Sequence, residues 1–125
     1  MSPPRILVIG QDPDTLDFSA IPGGMTAEKI RAGIDIGKRL MAEAGFTADH
    51  VLTDSGAAAA AIVSAALQAH DYGVVIVGAG IRLQAPQSGL LETVLNTIIA
   101  RRPHAKVGFN QTPQDTVDAV KRLLA

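Results

Sequence analysis

The chain contains no cysteine, which excludes disulfides, thiolate nucleophiles and Cys-ligated zinc and fits a reducing cytoplasm. Tryptophan is absent as well, and three Phe and one Tyr are all the aromatic residues. Single-strand nucleic-acid binding, which stacks bases on aromatic platforms beside basic grooves, has little to work with. Charge of neither sign dominates: 11 Lys plus Arg stand against 12 Asp plus Glu, a formal net charge of −1, so no global field draws in a polyanion or an acidic membrane. Long hydrophobic runs are missing too. Met1-Ser-Pro-Pro-Arg5 leads into only five apolar-type residues, 6–10, too few for a signal-peptide core. The charge-free stretch 55–70 is Ala-rich, short and broken by Gly56, Ser64 and Gln68, which does not make a membrane span. The expectation is a cytoplasmic protein with no nucleic-acid and no membrane partner.

What is present is an aliphatic composition: 47% of the 125 residues are hydrophobic, mostly Ala, Val, Ile and Leu. That is enough for one α/β domain spanning 1–125, with no internal repeat, charge block or linker to divide it. The runs Ile6-Leu-Val-Ile9 and Val74-Val-Ile-Val77 each end in glycine and show no polar alternation, as strands covered on both faces do. His50-Val-Leu-Thr53 and Lys106-Val-Gly-Phe-Asn110 carry polar residues and read as edge strands, with Lys106 guarding against edge pairing. Four helices alternate with them. Thr26 caps the first, which carries Ile30, Ile34, Gly37, Leu40 and Met41 on one face and stops at Gly45. Residues 56–69 form the second. Ser88 opens the third, which ends at Arg101, Arg102 and Pro103. Thr112-Pro-Gln-Asp115 opens the fourth, with Lys121 and Arg122 at its far end.

Regular βα alternation with right-handed crossovers yields a three-layer, open, parallel four-stranded sheet with helices on both faces, Rossmann-like or flavodoxin-like. Two central and two edge strands give the order 2-1-3-4. Its topological switch lies between strands one and three, where open α/β sheets bind ligands beyond the strands' carboxyl ends.

That rule selects two loops. The first runs from Gly10 to Gly24, far beyond the usual two to six residues of a βα connection. It carries Gln11 and Asp12, which would face a ligand, and Asp12, Asp14 and Asp17 join Asp54 at the same sheet edge. Four carboxylates there can hold Mg²⁺, but Asp-Pro and Asp-Ser-Gly sequences favour turns and caps, so no metal is assigned. The second loop begins Gly78-Ala-Gly80-Ile-Arg82: glycines let the backbone approach an anion, Arg82 offers a planar fork, and a helix start at Ser88 lies nearby. Glu92, one turn into that helix, joins Asp12 as an acid or base, with a surface position or an ion pair to Arg82 as the plainer outcome. Asn110 closes the edge from strand four.

Several familiar sites are absent. Val74 to Leu83, reading VVIVGAGIRL, lacks the third glycine of a dinucleotide fingerprint and lies outside the first βα unit, so neither NAD nor FAD nor any other cofactor is assigned. Asp12-Pro-Asp14-Thr15-Leu16 resembles the nucleophile loop of haloacid-dehalogenase-type phosphatases, but Leu16 stands where that pattern needs Thr. In a two-component receiver domain the phosphoacceptor would fall near Gly78. His50, His70 and His104 are dispersed, without the close spacing of a histidine metal site, and none is assigned. No nucleophile elbow or P-loop motif occurs.

On Gly24-Met-Thr-Ala-Glu-Lys-Ile-Arg-Ala-Gly33, on Val74 to Arg82 and on Phe109-Asn-Gln-Thr-Pro113, the chain resembles a group of short bacterial Rossmann-like, flavodoxin-like single-domain proteins. The resemblance implies size and fold and carries over no catalytic residue. The residues themselves point to a small-molecule enzyme or ligand-binding protein for a phosphate- or carboxylate-bearing metabolite. Gly78, Gly80 and Arg82 would hold the anion, with Gln11 and Asn110 beside it and Asp12 or Glu92 for any chemistry. The alternative is a non-catalytic oligomeric interaction or regulatory module. A second helix without a charged side chain from Ser55 to His70 leads to the expectation of a homodimer.

Overall fold

A computed structural model describes residues 3–20, 23–54, 56–82 and 88–125. Strands β1 (Ile6–Gln11), β2 (Ala48–Thr53), β3 (Val74–Val77) and β4 (Lys106–Phe109) pair in parallel in the order β2-β1-β3-β4. Ile6 sits opposite Ala48 on one side and Val74 on the other, and Val74 opposite Lys106. The sheet is therefore the one expected from the sequence. β1 and β3 are central because their side chains are apolar on both faces: all four residues of β3 are completely buried, and Ile6, Leu7 and Ile9 are nearly so.

Strand alternation divides the core in two. Leu7, Ile9, Val75 and Val77 face α2 (Ala59–Ala69) and the longer α4 (Ser88–Arg101), meeting Val63, Leu67, Val94 and Ile98. Ile6, Val8, Val74 and Ile76 face α1 (Ala27–Glu43) and α5 (Thr116–Leu124), meeting Met41, Ala119 and Val120. Between β3 and α4 the backbone also makes one helical turn, α3 (Ala79–Arg82), where only a loop is expected from the glycines. No helix among the described residues is long and apolar enough to cross a membrane.

The helix boundaries follow their capping chemistry. Thr26 Oγ1 accepts from Lys29 N at 3.2 Å and opens α1, and Gly45, at φ +83°, follows its end as a positive-φ stop. The second helix starts later than residue 56, at Ala59, because the Asp54 carboxylate accepts from Gly56 N and bends the backbone into a turn there. The Thr112 segment first makes a 3-10 turn, Pro113–Asp115, before α5 begins. The Asp115 carboxylate accepts from the backbone N of Gln111 and Thr112 and fixes that turn.

Candidate functional site

On the second face, α1 brings little bulk to the sheet. Gly33 and Gly37 are buried, one helical turn apart, against the Pro113–Asp115 turn. A Cβ on Gly37 would lie 2.5 Å from the Pro113 carbonyl oxygen. The helix thus leans on that turn, and between it and β1 and β2 a cleft of about 720 Å³ is left open. That volume lies within the range of small-molecule sites. Val8, Ile30, Ile34 and Leu52 form its walls. Gln11, Gly78, Gly80 and Asn110 line its end at the carboxyl edge of the strands. The first loop contributes Leu16 and Met25.

Four of the residues singled out from the sequence, Gln11, Gly78, Gly80 and Asn110, are thereby brought together at the switch point. Gly78 packs tightly on the neighbouring strand: its N donates to Ile9 O at 2.8 Å, and a Cβ would stand 3.1 Å from that oxygen. Asn110, 4% exposed, uses both ends of its amide. Oδ1 accepts from Ala79 N at 3.0 Å, and Nδ2 donates to Thr116 Oγ1 at 3.0 Å. It ties α3 to α5 under the cleft. Gln11 Nε2 donates to Thr15 Oγ1 at 3.1 Å and holds the first loop in place.

Asp12, Arg82 and Glu92 do not line the cleft. Asp12 Oδ1 accepts from Asp14 N and from Arg31, and Asp14 takes the same guanidinium at 2.8 Å. Arg82 lies with its guanidinium carbon 5.3 Å from the centroid of the Phe109 ring and donates to the Asn110 carbonyl oxygen. That is a clamp across the ends of β3 and β4, where a flat cation stacks well on an aromatic face. Its Nε is buried without an acceptor among the described residues. Glu92 is exposed on α4. Asp17 and Asp54 are held in local turns, accepting from Ser19 and from Gly56 N. Among the described residues, no three His, Asp or Glu side chains gather where a metal ion would sit. The rest of the second loop, 83–87, lies outside the described residues.

Lys29 and Gln114, which carried no chemical flag in the sequence, also line the cleft, as does His50, weighed there only as a metal ligand. Ile30 and Ile34 read as core-facing on helical spacing, yet are only half-buried. The available signal was the Gly33/Gly37 pair, which marks where the helix approaches a neighbour and leaves the adjacent side chains short of cover. Electrostatically the lining is simple. Among its described residues Lys29 alone brings a full charge, and its Nζ donates to Gly24 O at 3.0 Å. Burial, then the nearby Lys38 charge, pulls the His50 imidazole down to about 4, so it is neutral at pH 7.

The amino-terminal ends of the strands are closed by a different cluster. Arg5 Nε donates to Asp49 at 2.8 Å and Tyr72 Oη donates to the same carboxylate at 2.7 Å. The Arg5 hydrogen bond first, helped by Tyr72, draws Asp49 down to about 2, while burial pushes Tyr72 up to about 12. This cluster is a latch, and the opposite edge holds the opening.

No family model and no curated protein matches the chain. Among solved structures the chain is similar to a Clostridium thermocellum family 3 carbohydrate esterase, at 15% identity over 97% of this chain and 67% of that one, with a TM-score of 0.49.

Proposed function

We propose that the protein binds a small anionic metabolite in the cleft at the carboxyl edge of the sheet. The observation that carries this reading is the lining itself. A cleft of ligand size lies at the topological switch point, and its described residues include one ammonium, Lys29, and no carboxylate. The exposed Gln114 amide adds an uncharged polar group to the lining. Binding, rather than catalysis, is the function that the residues support, since Asp12 is engaged with Arg31 and Glu92 lies outside the lining.

Backbone amide NMR shifts during titration with a panel of monoanions test the reading. Perturbations are expected to cluster at Gln11, Lys29, Ile30, Gly78 and Gly80. If no member of the panel moves those resonances, the reading fails.

A second reading, a self-associating module, is favoured by one observation. Ile99 on α4 is 62% exposed, and α2, which Arg101 of α4 reaches at Ser64, has no charged side chain of its own. Sedimentation velocity of the wild type and of Ile99→Glu addresses it: a dimer that the substitution splits supports it, and a monomeric wild type removes it.

A further inference from the structure

The single full charge of the described lining, Lys29, stands at one end of a largely aliphatic cleft, and that placement names a class of ligand. At the carboxyl edge stand Lys29, Gln11 and Asn110, with Leu52, paired to Gly10, just inside them; farther down α1, toward the middle of β1, the walls are Val8 and Ile34. Helix α1 runs antiparallel to the strands, so from Ile30 to Gly37 it follows the cleft inward for seven residues, about 10 Å. His50 lines the inner part and is uncharged at neutral pH. One positive charge at the mouth complements one negative charge. Arg82, the side chain best suited to a phosphate dianion, does not line the cleft; it stacks on Phe109 and donates to the Asn110 carbonyl.

Resting on the small-anion reading above, we infer that the ligand is an amphipathic monocarboxylate of medium chain length. Its carboxylate lies at the mouth beside Lys29 and its aliphatic body lies along α1 against Val8, Ile34 and Leu52. Removal of the body from water supplies most of the affinity. The surface ammonium contributes the preference for an anion over an amine.

The experiment is a wild-type titration series of butanoate, hexanoate, octanoate and dodecanoate, with octan-1-ol, octylamine and inorganic phosphate as controls, read by calorimetry and by amide shifts at the cleft. Each added pair of methylene groups is expected to tighten binding about tenfold until the slot is filled. Octylamine should bind more weakly than octanoate. Lys29→Met should weaken octanoate about threefold and leave octan-1-ol unchanged. Ile34→Glu should weaken octanoate more than tenfold, with circular dichroism to show that the variant is folded; the chain-length series needs no variant at all. If phosphate or the shortest acids bind at the cleft with no gain along the series, the amphipathic class is overturned and the small-anion reading stands. If octan-1-ol binds as well as octanoate, the anionic head is overturned. If nothing in the series moves the cleft resonances, both readings fall.

Discussion

Gly33 and Gly37 lie one turn apart on α1, yet a methyl group added to each meets a different neighbour. At Gly37 it would lie 2.5 Å from the Pro113 carbonyl oxygen, fixed backbone that cannot swing aside. At Gly33 the nearest atom, 3.3 Å away, is Nε2 at the end of the exposed Gln114 side chain. Gly37→Ala is therefore expected to destabilise the protein by about 1–3 kcal/mol, the usual cost of overpacking. Gly33→Ala should be neutral or stabilising by up to about 1 kcal/mol, because alanine suits a helix interior better than glycine. Urea midpoints of the two variants check this, and similar losses at both positions would contradict the packing seen here. The same scale explains why side-chain roles were only partly legible. Gln11, Gly78, Gly80 and Asn110 follow from strand ends, which hydrophobic runs reveal. Asp12 and Arg82 carry the right chemistry at the right edge, but what each side chain meets is decided by Arg31 and Phe109, 19 and 27 residues away. No local pattern encodes such partners.

Among the elements, β1 and β3 were legible because unbroken aliphatic runs have few other places to go, and the order β2-β1-β3-β4 followed from their centrality. The edges of elements were harder. β2 begins at Ala48, two residues before the apolar run, because parallel pairing with Ile6 recruits Ala48 and Asp49 whatever their side chains. Being an edge strand also gives β2 its titration behaviour. His50 is half-buried behind α1, faced by Lys38 from the helix and Asp49 from its own strand, and is lowered from 6.5 to about 4. Since the unfolded chain then binds more protons than the native one between these values, stability is full above pH 6.5 and declines as pH falls from there toward 4. Allowing for its partial exposure, the loss from pH 7.5 to pH 5 should be about 1–2 kcal/mol. His50→Gln should flatten that interval in urea titrations. Asp49 acts in a lower window: its stabilisation is present above 3.8 and is lost as pH falls through about 2. A wild-type curve unchanged between pH 7.5 and 5 would mean that His50 is protonated without cost.

At the scale of the whole molecule, the two proposed readings leave different marks on thermal stability. A ligand that binds only the native state adds RT ln(1 + [L]/Kd), about 2.7 kcal/mol at a hundredfold excess over Kd. For a chain of 125 residues, each kcal/mol moves Tm by about 4 °C, so saturating octanoate should raise Tm by about 10 °C. The rise should depend on ligand concentration at fixed protein. Self-association through the α2–α4 face would instead make Tm climb with protein concentration in the absence of ligand, because dissociation accompanies unfolding. The cleft and that face lie on opposite sides of the sheet, one against α1 and α5 and the other against α2 and α4. Separate sites without shared partners have additive effects. Ile99→Glu should therefore abolish any dependence on protein concentration while leaving the octanoate increment intact, and Ile34→Glu should do the reverse. A variant that removes both effects would show that binding and association are one event, coupled through the sheet that separates them.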